Sequence, residues 1–505
     1  MTTTIETEHG RLHGVAGARV LSFKGIPYAA PPVGARRYEP PGAPAPWSGV
    51  RETNTFSAQA HQVIYPFFDP AFDADPTWED GRQFHRGAIT TPVPNSEDCL
   101  YLNIWTPAAS GKRPVMVWMH GGGFSAGSGN WNWWCGQHLA AGQDVVVVTL
   151  NHRLNIFGYL YAPDQGIAPN LGMQDIVAAL NWVRTNIGDL GGDPGNVTIF
   201  GQSGGGMKVS TLMAMPSARG LFHKAIVQSG PFLRAVPKQR AQAAAHAAMK
   251  HLGVDGSKLR HVPAADLLRA FATSGEGGPG VVRQFAPVAD GAVLPHDPFE
   301  PDSPAGAENI PLLIGSTPEE VTSLIGFRDP SIFALSAAEL PRRVAEFCAI
   351  AAAQAAQAID AYRSADPAAS PSRLFARIAS DRRFGFMSIV ESERHAVHGK
   401  TWAYRLNYQS PHIGARLGAP HNLDLPLLFC PKDAPGIFGT DTGHHTLAAF
   451  MQNAWGNFAR TGDPGWPRFD TTTRATMLLD RECRVANDPG RAERLAQAAM
   501  PVFAS

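Results

Sequence analysis

Residues 197–210, V-T-I-F-G-Q-S-G-G-G-M-K-V-S, constrain this chain more than any other stretch. Val197, Thr198, Ile199 and Phe200 have strand character and run straight into Gly201-Gln202-Ser203-Gly204-Gly205. That is G-x-S-x-G between a strand and a following helix. A serine at such a junction sits on a strained turn with its hydroxyl standing clear, and the flanking glycines let the backbone pass close on both sides. Ser203 is therefore a candidate nucleophile. A chain built around it needs a strand on one side and a helix on the other.

The surrounding sequence supplies more of both. Nearly continuous apolar or β-branched runs at 100–105, 114–120 and 144–151 suit strands covered on both faces, as in a parallel sheet. Residues 170–187 carry Leu171, Ile176, Leu180 and Val183 at helical spacing and end in the stop signal G-G-D-P. Further strands are expected at 225–230, 310–316 and 402–408, a helix at 446–460 and a last strand near 476–479. Strand and helix in alternation predict an α/β fold with a large, mostly parallel twisted sheet and helices on both faces. Residues 5–50 read as short strands and turns. No repeat or linker interrupts the chain, so residues 1–505 are expected to form one domain with insertions near 60–95, 232–300 and 325–395. The last two are helix-rich, and the first carries Tyr65, Phe67, Phe68, Phe72, Trp78 and Phe84.

Charge excludes some partners. The 43 basic residues balance 43 acidic ones, so neither nucleic acid nor a membrane surface is an expected partner. No apolar run approaches the ~18 residues of a spanning helix. The first ten residues lack a signal-peptide pattern. Cys99, Cys135, Cys348, Cys430 and Cys483 have no CxxC spacing and suit reduced thiols in the cytoplasm.

A serine nucleophile needs an oxyanion hole, a base and a residue that orients the base. His120-Gly121-Gly122-Gly123 closes the strand at 114–120 and offers successive backbone N–H groups. Gly122 and Gly123, with the N–H of Gly204, are the expected oxyanion donors. In an α/β-hydrolase the acid and then the histidine follow the serine. Among eighteen histidines, His421 in G-A-P-H-N-L-D-L-P fits that order, and so do His412, His444 and His445. For the acid, T-P-E-E follows the strand at 310–316 and offers Glu319 and Glu320, which as neighbours are not expected both to point inward.

Over nearly its whole length the chain resembles the type B carboxylesterase family, which includes bacterial p-nitrobenzyl-type esterases and the cholinesterases. The matching motifs stand in order: F-K-G-I-P-Y-A-A-P-P-V-G, S-E-D-C-L-Y-L-N-I-W-T-P, H-G-G-G-F, N-L-G-M-Q-D, G-G-D-P-G-N-V-T-I-F-G-Q-S-G-G and W-G-N-F-A-R-T-G-D-P. The resemblance implies the α/β-hydrolase fold and a serine carboxylic-ester hydrolase acting through an acyl-enzyme. It places the acid at Glu320 and the base at His421, and matches Ser229 to a serine behind the triad. It implies no metal or organic cofactor, a small-molecule ester as substrate, and a monomer or weak homo-oligomer.

Four positions depart from the family pattern. Gln202 stands where a glutamate is usual, Gly204 where alanine is usual, and Val321 where glycine is usual. Cys99 matches a cysteine that exported members bridge to one upstream, and none precedes it here. Phe124, Trp131, Trp133 and Trp134 follow the oxyanion loop and are candidates for an aromatic pocket favouring aryl or bulky apolar esters. The rival readings are an amide or carbamate hydrolase with the same triad, and a non-catalytic binding protein on the same fold.

Overall fold

The computed structural model describes residues 3–63, 93–273, 285–429 and 434–501. Its centre is an eleven-stranded sheet. In chain order the strands are β1 (Val15–Ala16), β2 (Leu21–Pro27), β3 (Tyr101–Thr106), β4 (Arg113–Met119), β5 (Val146–Leu150), β6 (Gly192–Gln202), β7 (Lys224–Gln228), β8 (Leu312–Ser316), β9 (Thr401–Leu406), β10 (Ala475–Leu479) and β11 (Arg484–Asn487). In space they run β11-β10-β9-β8-β7-β6-β4-β5-β3-β2-β1. From β10 across to β5 all neighbours are parallel.

Both ends of the sheet turn antiparallel. β3 runs against β5 and β2, and β11 runs against β10. The apolar run of β3 had suggested a member of the parallel set. Burial explains the difference: β3 is covered along most of its length, and an apolar run reports coverage, not direction. The expected last strand, β10, is followed by β11 and by a helix at Arg491–Ala498. β11 is a short, largely exposed edge strand and carries no apolar signal.

Residues on alternate sides of each strand pack into two different cores. Val115, Val117 and Met119 of β4 join helices α1 (Leu171–Asn186) and α2 (Gly204–Ala214). Met116 and Trp118 face the other way, toward the helix at His444–Thr461. A third apolar cluster is built within 321–379, with Met500. Helices Leu340–Cys348, Ala352–Ala365 and α3 (Pro371–Ser380) supply it. Among the described residues no helix is long and apolar enough to cross a membrane.

Register brings the ends of four strands together. Gly201 of β6 lies beside Met119 of β4, Gln202 beside Gln228 of β7, and Gln228 beside Gly315 of β8. The chain leaves these strands at His120, Ser203, Ser229 and Thr317, so each turn opens at the carboxyl edge of the sheet, where open α/β sheets bind their ligands.

Candidate active site

Ser203 joins β6 to α2 at φ 58°, ψ −126°. This positive φ is strained for a residue with a side chain. Its N–H donates to the Gln228 carbonyl at 2.8 Å, which anchors the turn to β7. The glycines around it are sterically required. A Cβ on Gly205 would lie 1.9 Å from the Met119 carbonyl oxygen. A Cβ on Gly204 would lie 2.4 Å from the backbone nitrogen of Gly123. The departure from alanine at 204 thus coincides with an H-G-G-G loop that lies directly against the start of α2. That loop bends through Gly122 at φ 95° and Gly123 at φ 62°.

Glu320 and His421 meet. Glu320 opens the short helix Glu320–Ile325 after β8 and is fully buried. Its Oε1 accepts from the Thr317 N–H at 2.8 Å, and its Oε2 bonds His421 Nδ1. A carboxylate can only accept, so Nδ1 carries the proton and Nε2 presents its lone pair. The amide nitrogen of Gln202 donates to Nε2 at 3.1 Å. Gln202 thus occupies the one acceptor that the imidazole presents. The imidazole also lies 5.1 Å from the ring of Phe384.

Both neighbouring glutamates are buried, against the expectation that only one would point inward. They bury in different directions with different partners. Glu319 Oε2 accepts from the Ala419 N–H at 2.9 Å, and its Oε1 lies 3.0 Å from Arg377 Nε and 3.2 Å from Arg373 Nε. Two guanidinium groups on α3 neutralise it. It holds the segment that carries His421. The other histidines that satisfied the chain order lie elsewhere: His444 stacks on Phe438 at 3.9 Å.

Ser229 follows β7 at φ 48°, and its N–H donates to the Gly315 carbonyl at 2.8 Å. Its hydroxyl is buried with no hydrogen-bond partner. It backs the serine turn, because a Cβ on the next residue, Gly230, would lie 2.0 Å from the Ser203 carbonyl oxygen.

The aromatic residues divide. Phe124 packs at 5.0 Å from Tyr159 and 5.6 Å from Phe232, on the side of the sheet that carries α2. Trp131, Trp133 and Trp134 are buried in the opposite core with Trp118, Phe200 and Phe429. Trp134 lies 5.5 Å from Trp131 and 5.8 Å from Trp118. Packing accounts for these three tryptophans. The rings beside the serine and histidine segments are Phe124, Phe232 and Phe384. The aromatic stretch Tyr65–Phe84 lies outside the described residues.

One buried acid near the histidine escaped the sequence reading. Asp424, three residues after His421, accepts from Gln228 Nε2 at 2.6 Å, while its other oxygen is buried without a partner. Burial, reinforced by the Glu320 charge, pushes its carboxyl up to about 6. The spacing H-N-L-D, one helical turn from the base, was the available signal. Unfolded, this acid ionises near 3.8, so the native protein binds the extra proton and stability falls as pH rises from there through about 6. Asp424→Asn, which mimics the protonated acid, should gain on the wild type by roughly 1–2 kcal/mol between pH 5 and pH 8 in denaturant melts. A constant difference would contradict the assignment.

The chain resembles known proteins along nearly its whole length. The model of the carboxylesterase family matches residues 1–496. The chain is 34% identical to the para-nitrobenzyl esterase of Bacillus subtilis (strain 168), over 97% of both chains. It is 32% identical to the phenmedipham hydrolase of Pseudarthrobacter oxydans, over 97% of this chain and 98% of that one. Among solved structures, a thermophilic PNB esterase superposes with a TM-score of 0.83 at 32% identity, over 98% of this chain and 100% of that one. A Geobacillus stearothermophilus carboxylesterase gives a TM-score of 0.82 at 36% identity, with the same coverage. The chain therefore belongs to the carboxylesterase family and is a carboxylic-ester hydrolase of the α/β-hydrolase fold.

Proposed function

We propose that Ser203, His421 and Glu320 form the catalytic triad and that the N–H groups of Gly122, Gly123 and Gly204 form the oxyanion hole. The bond from Glu320 to His421 Nδ1 carries this reading, because it leaves Nε2 as the base. Ser203 attacks the ester carbonyl as Nε2 takes its proton. The oxyanion of the tetrahedral intermediate is held by the three amides. The alcohol leaves with the proton from His421, and water activated by the same base releases the acid. Gln202 must yield Nε2 to Ser203 for the first step.

The substrate proposed is a small aryl or bulky apolar ester. The rings of Phe124, Phe232 and Phe384 support it, and so does the similarity to a para-nitrobenzyl esterase. The unbridged Cys99, Cys135, Cys348 and Cys483 support an intracellular setting. Hydrolysis of matched phenyl ester, anilide and carbamate substrates tests the class. The ester should be fastest, and a preference for the anilide or carbamate would overturn this reading.

Gln202 sets the electrostatics of the base. A carboxylate in its place would favour the imidazolium and raise the histidine pKa. A neutral base would then require higher pH. The acidic limb of kcat/KM in Gln202→Glu should move up by about one pH unit, and a profile identical to wild type would contradict the placement.

A further inference from the structure

Lys208 is a fully buried lysine on α2, one turn beyond Ser203. Its Nζ donates to the His120 carbonyl at 2.9 Å and to the Gly123 carbonyl at 3.0 Å. It also lies 5.7 Å from the centre of the Phe124 ring. As structure alone the arrangement is unfavourable. Burial pushes the ammonium down to about 7, and among the described residues its hydrogen-bond partners are two backbone carbonyls and no carboxylate. The amino end of a helix also disfavours positive charge. A buried cation without a counter-ion costs several kcal/mol as an order of magnitude.

What the ammonium holds explains its position. All four carbonyls of the His120–Gly123 segment are engaged. The Gly121 carbonyl accepts from His120 Nδ1 at 2.9 Å. The Gly122 carbonyl accepts from the N–H groups of Ser125 at 3.3 Å and Ala126 at 3.1 Å. Lys208 takes the remaining two. In a trans peptide the C=O and the following N–H point in opposite directions. Fixing the Gly121 and Gly122 carbonyls therefore aims the N–H groups of Gly122 and Gly123. Fixing the His120 and Gly123 carbonyls locks the peptide planes on either side. Three successive glycines have no rotational restraint of their own, so those outer bonds stop the segment from turning its amides away.

We propose that Lys208 is a positioning residue of the oxyanion hole, holding the two outer peptides of the H-G-G-G loop so that the Gly122 and Gly123 amides stay aimed at the ester carbonyl. The proposal rests on the oxyanion role given above to those amides. Because the loop is needed most in the transition state, its loosening should lower kcat more than it raises KM.

The test is Lys208→Met, which keeps the apolar stem and removes the donors. Its kcat on an aryl ester should fall roughly tenfold to a hundredfold, somewhat less than loss of one direct donor, with KM changed by no more than about twofold. Affinity for an aryl trifluoromethyl ketone, whose adduct carries an oxyanion, should fall by the same factor, while affinity for the product alcohol stays constant. Lys208→Gln, which retains an N–H donor, should recover part of the loss. A folded Lys208→Met with wild-type kcat and ketone affinity would overturn the proposal, as would equal losses for ketone and product. Should neither variant fold, a crystal structure of the wild-type ketone adduct decides. Nζ should remain bonded to both carbonyls, and carbonyls turned away from it would overturn the assignment. An inactive wild type would instead count against the oxyanion reading itself.

Discussion

Ser203→Ala is expected to lower kcat by about 10⁵-fold and to leave the fold intact. The loss should be large because the hydroxyl oxygen is the atom that bonds to the acyl carbon in the proposed reaction. What remains would come from the oxyanion amides and substrate binding alone. Stability should change little, because alanine keeps the Cβ that the positive φ of 58° strains. Steady-state hydrolysis of an aryl ester, with circular dichroism to verify folding, measures both quantities. A folded variant retaining even a few per cent of wild-type kcat would remove Ser203 from the role of nucleophile.

Glu320→Gln is expected to cost roughly 10³–10⁴ in kcat. The substitution preserves shape but replaces an acceptor by an amide that can donate to Nδ1. The imidazole then keeps its proton on Nε2 and cannot accept one from Ser203. Glu319→Gln provides the contrast. It leaves the tautomer of His421 alone and weakens the pairing with Arg373 and Arg377. Those arginines keep 24% side-chain exposure, so the cost is that of a partly solvated network, about 1–3 kcal/mol of stability. Activity per folded molecule should stay within about tenfold of wild type. Equal kinetic damage from the two substitutions would contradict the distinct roles assigned to two adjacent glutamates.

The sequence was most informative where chemistry and local structure share one short segment. The strand, the pentapeptide and the start of α2 lie within 197–210, so apolar run, glycine spacing and helical pattern all point to one turn. The same holds for the H-G-G-G loop after β4. Long-range partners were harder to read. The inward turn of Glu319 depends on Arg373 and Arg377, supplied from a helix far along the chain, and nothing beside T-P-E-E announces them. Lys208 looks like an ordinary helix-surface lysine until the loop of 120–123 is laid over it. Gly204 likewise appears only as a missing methyl group until Gly123 is found in the space that methyl would fill. The tryptophans at 131, 133 and 134 pack in the core opposite α2. In sequence, an aromatic cluster next to a glycine loop suits a pocket wall and a core equally well, and only the folded chain shows on which side of the sheet it packs.

The most direct test of the acyl-enzyme account is mass spectrometry of the wild-type enzyme quenched during turnover of a slowly deacylating aryl ester. One equivalent of acyl group should be found, on the peptide containing Ser203, and none in Ser203→Ala. Turnover without an acyl adduct, or an adduct on a different residue, would contradict the account.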